Sequence, residues 1–345
     1  MASVDVTVRG AGIFGLSIAW ACARRGARVR VVDPFGIGAG ASGGLVGALS
    51  PHVPEAWNEK KAFQLDSLLM AGDWWDQVAQ VSGRDPGYAR LGRLQPLEDA
   101  QAVEVARRRE GSARGLWQGQ AVWEVVPATG GEWEPASPSG WLVRDTLSAR
   151  LSPRMGVAAL VGALVATGVE IVVGEGEERG QVIHATGVAG LEALSGVLGK
   201  RIGGGVKGQA LSLKYEAGGL PQLFVDGLHV VPHADGTVAV GSTSENQWDH
   251  EGVDEKVEAL LARALAALPV LAGAAVVDRW AGVRPRAVSR APVMGAWPGR
   301  AGHWVANGGF KIGFGMAPKV AEVMADLVLE GRDGVPEGFR VEGLL

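Results

Sequence analysis

The sequence predicts an α/β protein: a Rossmann-like domain combined with a second, α+β domain built on a mixed or antiparallel sheet. Three observations predict it. Residues 4–33 run strand, glycine turn, helix, strand, acid, which is the order of a βαβ crossover. Residues 203–245 hold strand-like runs joined by the tight turn Ala234-Asp235-Gly236, the pattern of an antiparallel hairpin. Helix-period and strand-period stretches recur on both sides of that section, so each domain is assembled from separated pieces. The 345 residues suffice for about two domains with sizeable cores.

In the first crossover, VDVTV alternates as a short buried strand should, and an Ala-rich run to Arg24 and Arg25, closed by Gly26, reads as a helix with basic residues in its last turn. A second strand, residues 28–32, ends on Asp33. Gly10 permits a tight turn, Gly12 lets the backbone close on a pyrophosphate, and Gly15 lets the helix pack on the strand. Amides at the helix start, at the positive end of its dipole, would hold phosphates. Asp33 lies 18 residues after Gly15, where a carboxylate can accept from both ribose hydroxyls. A dinucleotide site is therefore expected here. Arg9 departs from the pattern, because an apolar residue usually ends such a strand.

Composition narrows the class. Apolar residues make up 47% and charged residues 20%, as in ordinary globular proteins. Glycine supplies 53 of 345 residues, far above the usual share of about 7%, with no collagen-like period, which suits tight turns and close backbone approach to a ligand. A net charge of −4 gives no electrostatic footing for nucleic acid or an anionic membrane. Cys22 is the only cysteine, so no disulfide, cysteine-based metal site or redox pair is expected, and no metal. Asp5 and Arg9 interrupt any signal-peptide pattern, and no apolar run approaches 18 residues. A cytoplasmic protein is the default expectation.

After Asp33 the chain runs PFGIGAGASGGLVGALSPHVPE, a long glycine-rich passage in place of a compact crossover. Such a passage can run under an extended cofactor and offer it backbone N–H groups. The GAGIFG turn, the acid ending the second strand, then GASGG and GALSPH resemble the FAD-dependent amino acid and amine oxidoreductases, the family of D-amino acid oxidase, glycine oxidase and sarcosine oxidase. That resemblance implies non-covalent FAD, and a cofactor site formed by Gly10, Gly12, Ile13, Phe14, Gly15, Asp33, Pro34, Ala41, Ser42, Gly43, Gly44, Ala48 and Leu49. It covers most of the chain and is weakest over residues 81–134.

Residues 59–81 carry Phe63, Leu65, Leu68, Leu69, Trp74, Trp75 and Val78 near helical spacing, a core helix. Residues 82–135 break into strand-like pieces around a charged helix over residues 99–109, whose Arg107, Arg108 and Arg109 read as a solvated face. A helix over residues 153–167 follows, then the strands VEIVVGE and GQVIHATG. In the family, a strand ending in ATG closes the FAD domain, which implicates Ala185, Thr186 and Gly187, with the backbone of Val173 offered to the adenine. VKGQALSLK and LHVVPHADGTVAVGSTSE resemble strands that floor the substrate cavity, so His229 and Ser244 are expected to point into it. RWAGVRPRAVSRAPVMG and HWVANGGFKIGFGMAPKVAEVMADLVLEG return to the cofactor, adding Gly282, Gly308, Gly309, Phe310, Lys311, Ile312 and Gly313 beside the flavin ring. The resulting division gives residues 1–81, 134–202 and 280–345 to the FAD domain and residues 82–133 and 203–279 to the substrate domain.

The implied chemistry is oxidation of the C–N bond of a small amino acid or secondary amine through an imine, with oxygen or another acceptor taking the electrons. Arg284, in VRP, stands where glycine oxidase relatives bind the substrate carboxylate, a task that suits a guanidinium fork. Lys311 stands where sarcosine oxidase relatives do the same; Arg286 and Arg290 are rim candidates. His52 and His229 are the titratable residues expected nearest the ring and could take the amine proton. His52 follows the flavin-contacting loop and is weighted slightly higher. The cysteine that tethers FAD in sarcosine oxidase relatives is absent, and only Tyr88 and Tyr215 are available where D-amino acid oxidase has several cavity tyrosines. Three other readings stay open: the FAD domain that trims a carboxymethyl-amine on modified tRNA, a flavin-binding protein without turnover, and an NAD dehydrogenase.

Overall fold

The computed structural model describes residues 4–344. In chain order the elements are β1 (Val6–Arg9), α1 (Ile13–Ala23), β2 (Val29–Asp33), β3 (Ala48–Leu49), α2 (Glu59–Ser82), β4 (Arg93–Pro96), α3 (Ala100–Leu116) and β5 (Trp123–Pro127). They continue with β6 (Trp141–Asp145), β7 (Ala149–Arg150), α4 (Pro153–Ala166), β8 (Glu170–Val173), β9 (Gln181–His184), α5 (Gly187–Leu198), β10 (Gly203–Lys214), β11 (Gln222–Val225), β12 (Leu228–Pro232) and β13 (Thr237–Gly241). The last are α6 (Lys256–Ala267), β14 (Val276–Ala287), β15 (Val293–Ala296), β16 (His303–Asn307) and α7 (Gly313–Glu330). Among the described residues, no helix is long and apolar enough to cross a membrane.

Two large sheets organise the chain. The first has the order β15-β16-β9-β1-β2-β8 and is parallel throughout except for β15. Helix α1 is buried along all but its last residue, as a helix apolar all round must be, and packs on α4 and α7. Helix α2 starts at Asn58, whose side chain accepts from Lys61 N, and ends at Gly83 in the left-handed conformation, φ 65°. It lays Phe63, Leu68, Trp74, Trp75 and Val78 against α4 and α7. Arg24 and Arg25 fall just past α1 rather than in its last turn. They pair with α7: Arg25 meets Glu322 at 2.7 Å and Asp326 at 2.8 Å, and Arg24 also binds Glu322.

The second sheet has the order β14-β10-β13-β12-β11-β4-β6-β5 and is antiparallel except for the β11–β4 pair. Its own core gathers Leu211, Leu213, Val230, Val238 and Val240 under α6. The α+β character of the second unit and the Rossmann-like first one agree with the sequence reading. The boundaries do not. Trp141–Asp145 lies between β4 and β5 in the second sheet, on the wrong side of the limit expected at 134, and β14 runs straight through the one expected at 280. Strands β10 and β14 pair over most of their length, with Val206 opposite Arg284, Lys207 opposite Val283 and Gly208 opposite Gly282.

Candidate active site

A cavity of 1240 Å³ opens between the C-terminal ends of the first sheet and the face of β14 and β12. Its crease begins at β1. Gly10 has φ +108°, and a Cβ there would stand 2.3 Å from Ala185 O. A Cβ on Gly15 would stand 1.8 Å from Gly10 O, so strand and helix meet at backbone contact. Gly12 faces the cavity, and no side chain caps the helix from it. Ile13 N instead donates to Ser42 Oγ at 2.9 Å. The Ser42 oxygen is thus already engaged, and what it retains for a phosphate is its O–H donor.

Asp33 lines the cavity with a fixed carboxylate. Its Oδ2 accepts from Ala11 N at 2.7 Å and its Oδ1 from Phe35 N at 2.9 Å and Gly36 N at 3.2 Å. Those amides hold the group in place, and an ionised carboxylate has further lone pairs for ribose hydroxyls. Arg9 also reaches the wall and pairs with Glu178 Oε1 at 3.0 Å, which accounts for a charged residue at that strand end. Across the sheet from Arg9 lies His184, whose Nε2 is 3.0 Å from His303 Nδ1 and whose ring sits 4.5 Å from that of Trp297. The crease therefore fits an extended dinucleotide: open floor, exposed helix start, one hydroxyl and one oriented carboxylate.

Of the sequence candidates, Gly12, Ile13, Phe14, Asp33, Pro34, Ala41, Ser42, Gly44, Ala48, Ala185, Thr186, Gly187, Gly282, Gly309, Phe310, Lys311 and Gly313 line this cavity, as do His229 and Arg284. Gly10, Gly15, Gly43, Leu49, Gly308 and Ile312 stand behind the wall. Val173 ends β8 beside Asp33 with its side chain 62% exposed. His52 is not on the wall: its backbone N donates to Gln64 Oε1 at 2.8 Å and its ring Nδ1 contacts the same oxygen, turning it to α2. Ser242, not Ser244, lines the cavity; Ser244 is exposed. Arg290 is exposed and off the wall. Sequence reasoning did not identify Phe224, Trp248, Trp280 or Trp297, which also line it.

Arg284 lines the cavity from β14. It is 8% exposed, and Nη1 donates to Ser242 Oγ at 2.8 Å while Nη2 donates to Thr243 O at 2.6 Å and Lys207 O at 3.3 Å. Room for the guanidinium comes from Gly208, where a Cβ would fall 2.2 Å from Nη2. Its Nε is buried without a partner, and among the described residues no carboxylate forms an ion pair with it. Burial pushes the guanidinium down to about 10, with Glu245 acting the other way. A buried cation without a counter-charge beside an open cavity is a receptor for an anion.

His229 sits on β12 with Nδ1 buried and unpartnered. Burial first, then Arg93 and Lys311, push it down to about 3, so at neutral pH it is uncharged and a poor proton acceptor. Burial and neighbouring cations likewise push His184 down to about 4, against the opposing pull of Glu178. The sign follows from linkage. Both folded values lie below the unfolded value of roughly 6.5, so the unfolded chain binds more protons in that window and stability falls as pH drops from 6.5 towards 4. Thermal unfolding should show Tm declining over that range, and the double variant His184→Asn/His229→Gln should flatten the decline; an unchanged slope would refute it.

The model of the family described as FAD dependent oxidoreductase (DAO) matches residues 5–327. The glycine oxidase of Pseudomonas putida is 29% identical over 378 residues, covering 99% of this chain and 100% of that one. The tRNA 5-methylaminomethyl-2-thiouridine biosynthesis bifunctional protein MnmC of Maricaulis maris is 31% identical over 340 residues, covering 97% of this chain and 54% of that protein. The crystal structure of glycine oxidase from Geobacillus kaustophilus superposes with a TM-score of 0.85 at 21% identity, covering 98% of both chains.

Proposed function

Because the chain belongs to the FAD dependent oxidoreductase family, we propose that it oxidises the C–N bond of a small amino acid or N-substituted amino acid whose carboxylate is bound by Arg284. It is an FAD enzyme acting on CH–NH groups. FAD, when bound, supplies the hydride acceptor. The crease residues Gly12, Ser42 and Asp33 fit its pyrophosphate and ribose. No thiol is available for a cysteinyl tether: Cys22 is buried in α1, with its thiol pushed up to about 12 by burial.

One observation carries the reading, namely the buried guanidinium of Arg284 facing the cavity with no carboxylate of its own. Lys311, at the mouth, adds a second cation. With Arg284 and Lys311 on the cavity wall, the local field disfavours an ammonium, so the amine binds as the free base with its lone pair available. His229 then serves as a neutral hydrogen-bond partner for that nitrogen rather than as the group that removes its proton.

The test is anaerobic. Holoenzyme mixed with glycine, sarcosine, proline and N-carboxymethyl amino acids should bleach with those that combine an amine and a carboxylate, and simple amines without a carboxylate should fail. Bleaching by simple amines alone, or by none of the panel, overturns the reading. Readmitting air separates oxidase from dehydrogenase. The similarity to MnmC favours a second reading, the same reaction on a carboxymethyl-amine carried by tRNA, although a net charge of −4 gives RNA little electrostatic support. Modified tRNA added to the same assay distinguishes the two.

A further inference from the structure

We propose that the preferred substrate carries two carboxylates, one for Arg284 and one for Lys311, of the kind found in an N-carboxymethyl amino acid; this rests on the amino acid reading above. Three cations surround a single ring. The Arg284 Cζ lies 5.5 Å, the Arg286 Cζ 5.6 Å and the Lys311 Nζ 5.9 Å from the centre of the Phe310 ring. Phe310 itself has φ +46°, an uncommon conformation for an aromatic residue, in the turn Phe310–Ile312 that opens onto α7.

None of the three is neutralised among the described residues. Arg284 bonds only to a hydroxyl and two carbonyls, and Arg286 donates to Asn246 Oδ1 at 3.0 Å. Lys311 has no carboxylate within ion-pair distance, and its ammonium is held below its usual range by burial, then by Arg284 and Arg286. The nearby acids are engaged elsewhere. Glu245 takes Lys256 at 2.8 Å, Gln209 and Thr243, while Asp254 takes the fully buried Lys207 at 2.8 Å and Gln209. Glu251 lines the cavity but is exposed and forms no ion pair with the three cations.

Elsewhere on this chain arginines find acids readily: Arg24, Arg25, Arg93, Arg109, Arg154 and Arg340 all do. Three unneutralised cations around the mouth of the cavity are therefore a local excess, and Arg284 and Lys311 both face the ligand space. A monocarboxylate with a neutral amine compensates one of them. A dicarboxylate compensates both wall cations and keeps its nitrogen between them.

Iminodiacetate is the simplest amine of this type, and glutarate and butyrate are its unreactive dicarboxylate and monocarboxylate counterparts. Titration of the holoenzyme, followed by perturbation of the flavin absorption, should give glutarate a Kd at least tenfold lower than that of butyrate, narrowing at high salt. Lys311→Met should bring the ratio close to one, and Lys311→Arg should retain it. Equal affinities in the wild-type protein, or a ratio unaffected by Lys311→Met, would overturn the proposal. In turnover, iminodiacetate should exceed glycine in kcat/KM at least tenfold, with the difference in KM. Glycine equal or better overturns this inference and leaves the C–N oxidation reading standing; no flavin reduction by either removes that reading itself.

Discussion

Replacing Arg284 by methionine is expected to lower kcat/KM on the order of 10²- to 10³-fold while the protein stays folded and yellow. Losing a buried charge-assisted partner costs about 2–5 kcal/mol, and each decade of rate is about 1.4 kcal/mol. Folding should tolerate the change for specific reasons. Lys207 O keeps its bond from Glu245 N at 2.9 Å, and the substitution removes a buried cation that has no counter-charge. Arg284→Lys should recover only part of the loss, because an ammonium has three donors and cannot both hold Ser242 Oγ, Thr243 O and Lys207 O and reach a carboxylate. The loss should appear mainly in KM for substrates bearing a carboxylate. A variant that turns over at the wild-type rate would mean the carboxylate is held elsewhere.

The crease was legible in the sequence because its requirements are local. Gly10, Gly12, Gly15 and Asp33 are spaced by backbone mechanics within one crossover; Gly10 and Gly15 meet at backbone contact, and Gly12 and Asp33 line the cavity. What failed was non-local. Strand β6 could not be assigned to the second sheet from its own residues, since its partners β4 and β5 lie in separated segments. Arg9 looked anomalous until Glu178, far along the chain, came beside it. His52 follows the glycine-rich loop in sequence, but Gln64 on α2 turns it off the wall. Ser244 was expected from the resemblance of its string to cavity-floor strands, but β13 ends at Gly241, before it. Once the chain leaves the strand, period two no longer says which side chain faces in, and Ser242 takes the place.

The tryptophans of the wall had no sequence signal as a group, although Trp280 lies in the RWAGVRP run. Trp248, Trp280 and Trp297 come from three separate segments and meet only through the two-sheet arrangement. Their spacing along the chain is that of any buried aromatic, and a core role would have been the default reading.

Gly15→Ala should abolish cofactor retention and lower Tm by roughly 2–4 °C, whereas Gly12→Ala should weaken FAD binding at least tenfold with little change in the Tm of the apoprotein. The two glycines belong to one motif but face different matter. At Gly15 the added carbon would lie 1.8 Å from Gly10 O and 2.9 Å from Gly10 C, both backbone, with no flexible side chain to yield. Gly10 cannot retreat either, because it lies against the backbone of Ala185, the residue after β9. Helix α1 must therefore lift from β1, straining a helix buried on all sides, at a cost of about 1–3 kcal/mol or more. At Gly12 the added carbon would meet only Ser42 Oγ, at 3.1 Å, with backbone φ −86° that alanine adopts freely. The damage there is done to the ligand, because the methyl group occupies the path of the pyrophosphate and disturbs the hydroxyl that would donate to it. Flavin fluorescence titration and thermal unfolding of both apoproteins separate the two effects. Equal Tm losses would show that Gly12 also carries packing, and a stable yellow Gly15→Ala would show that α1 can move on β1 without losing the cofactor.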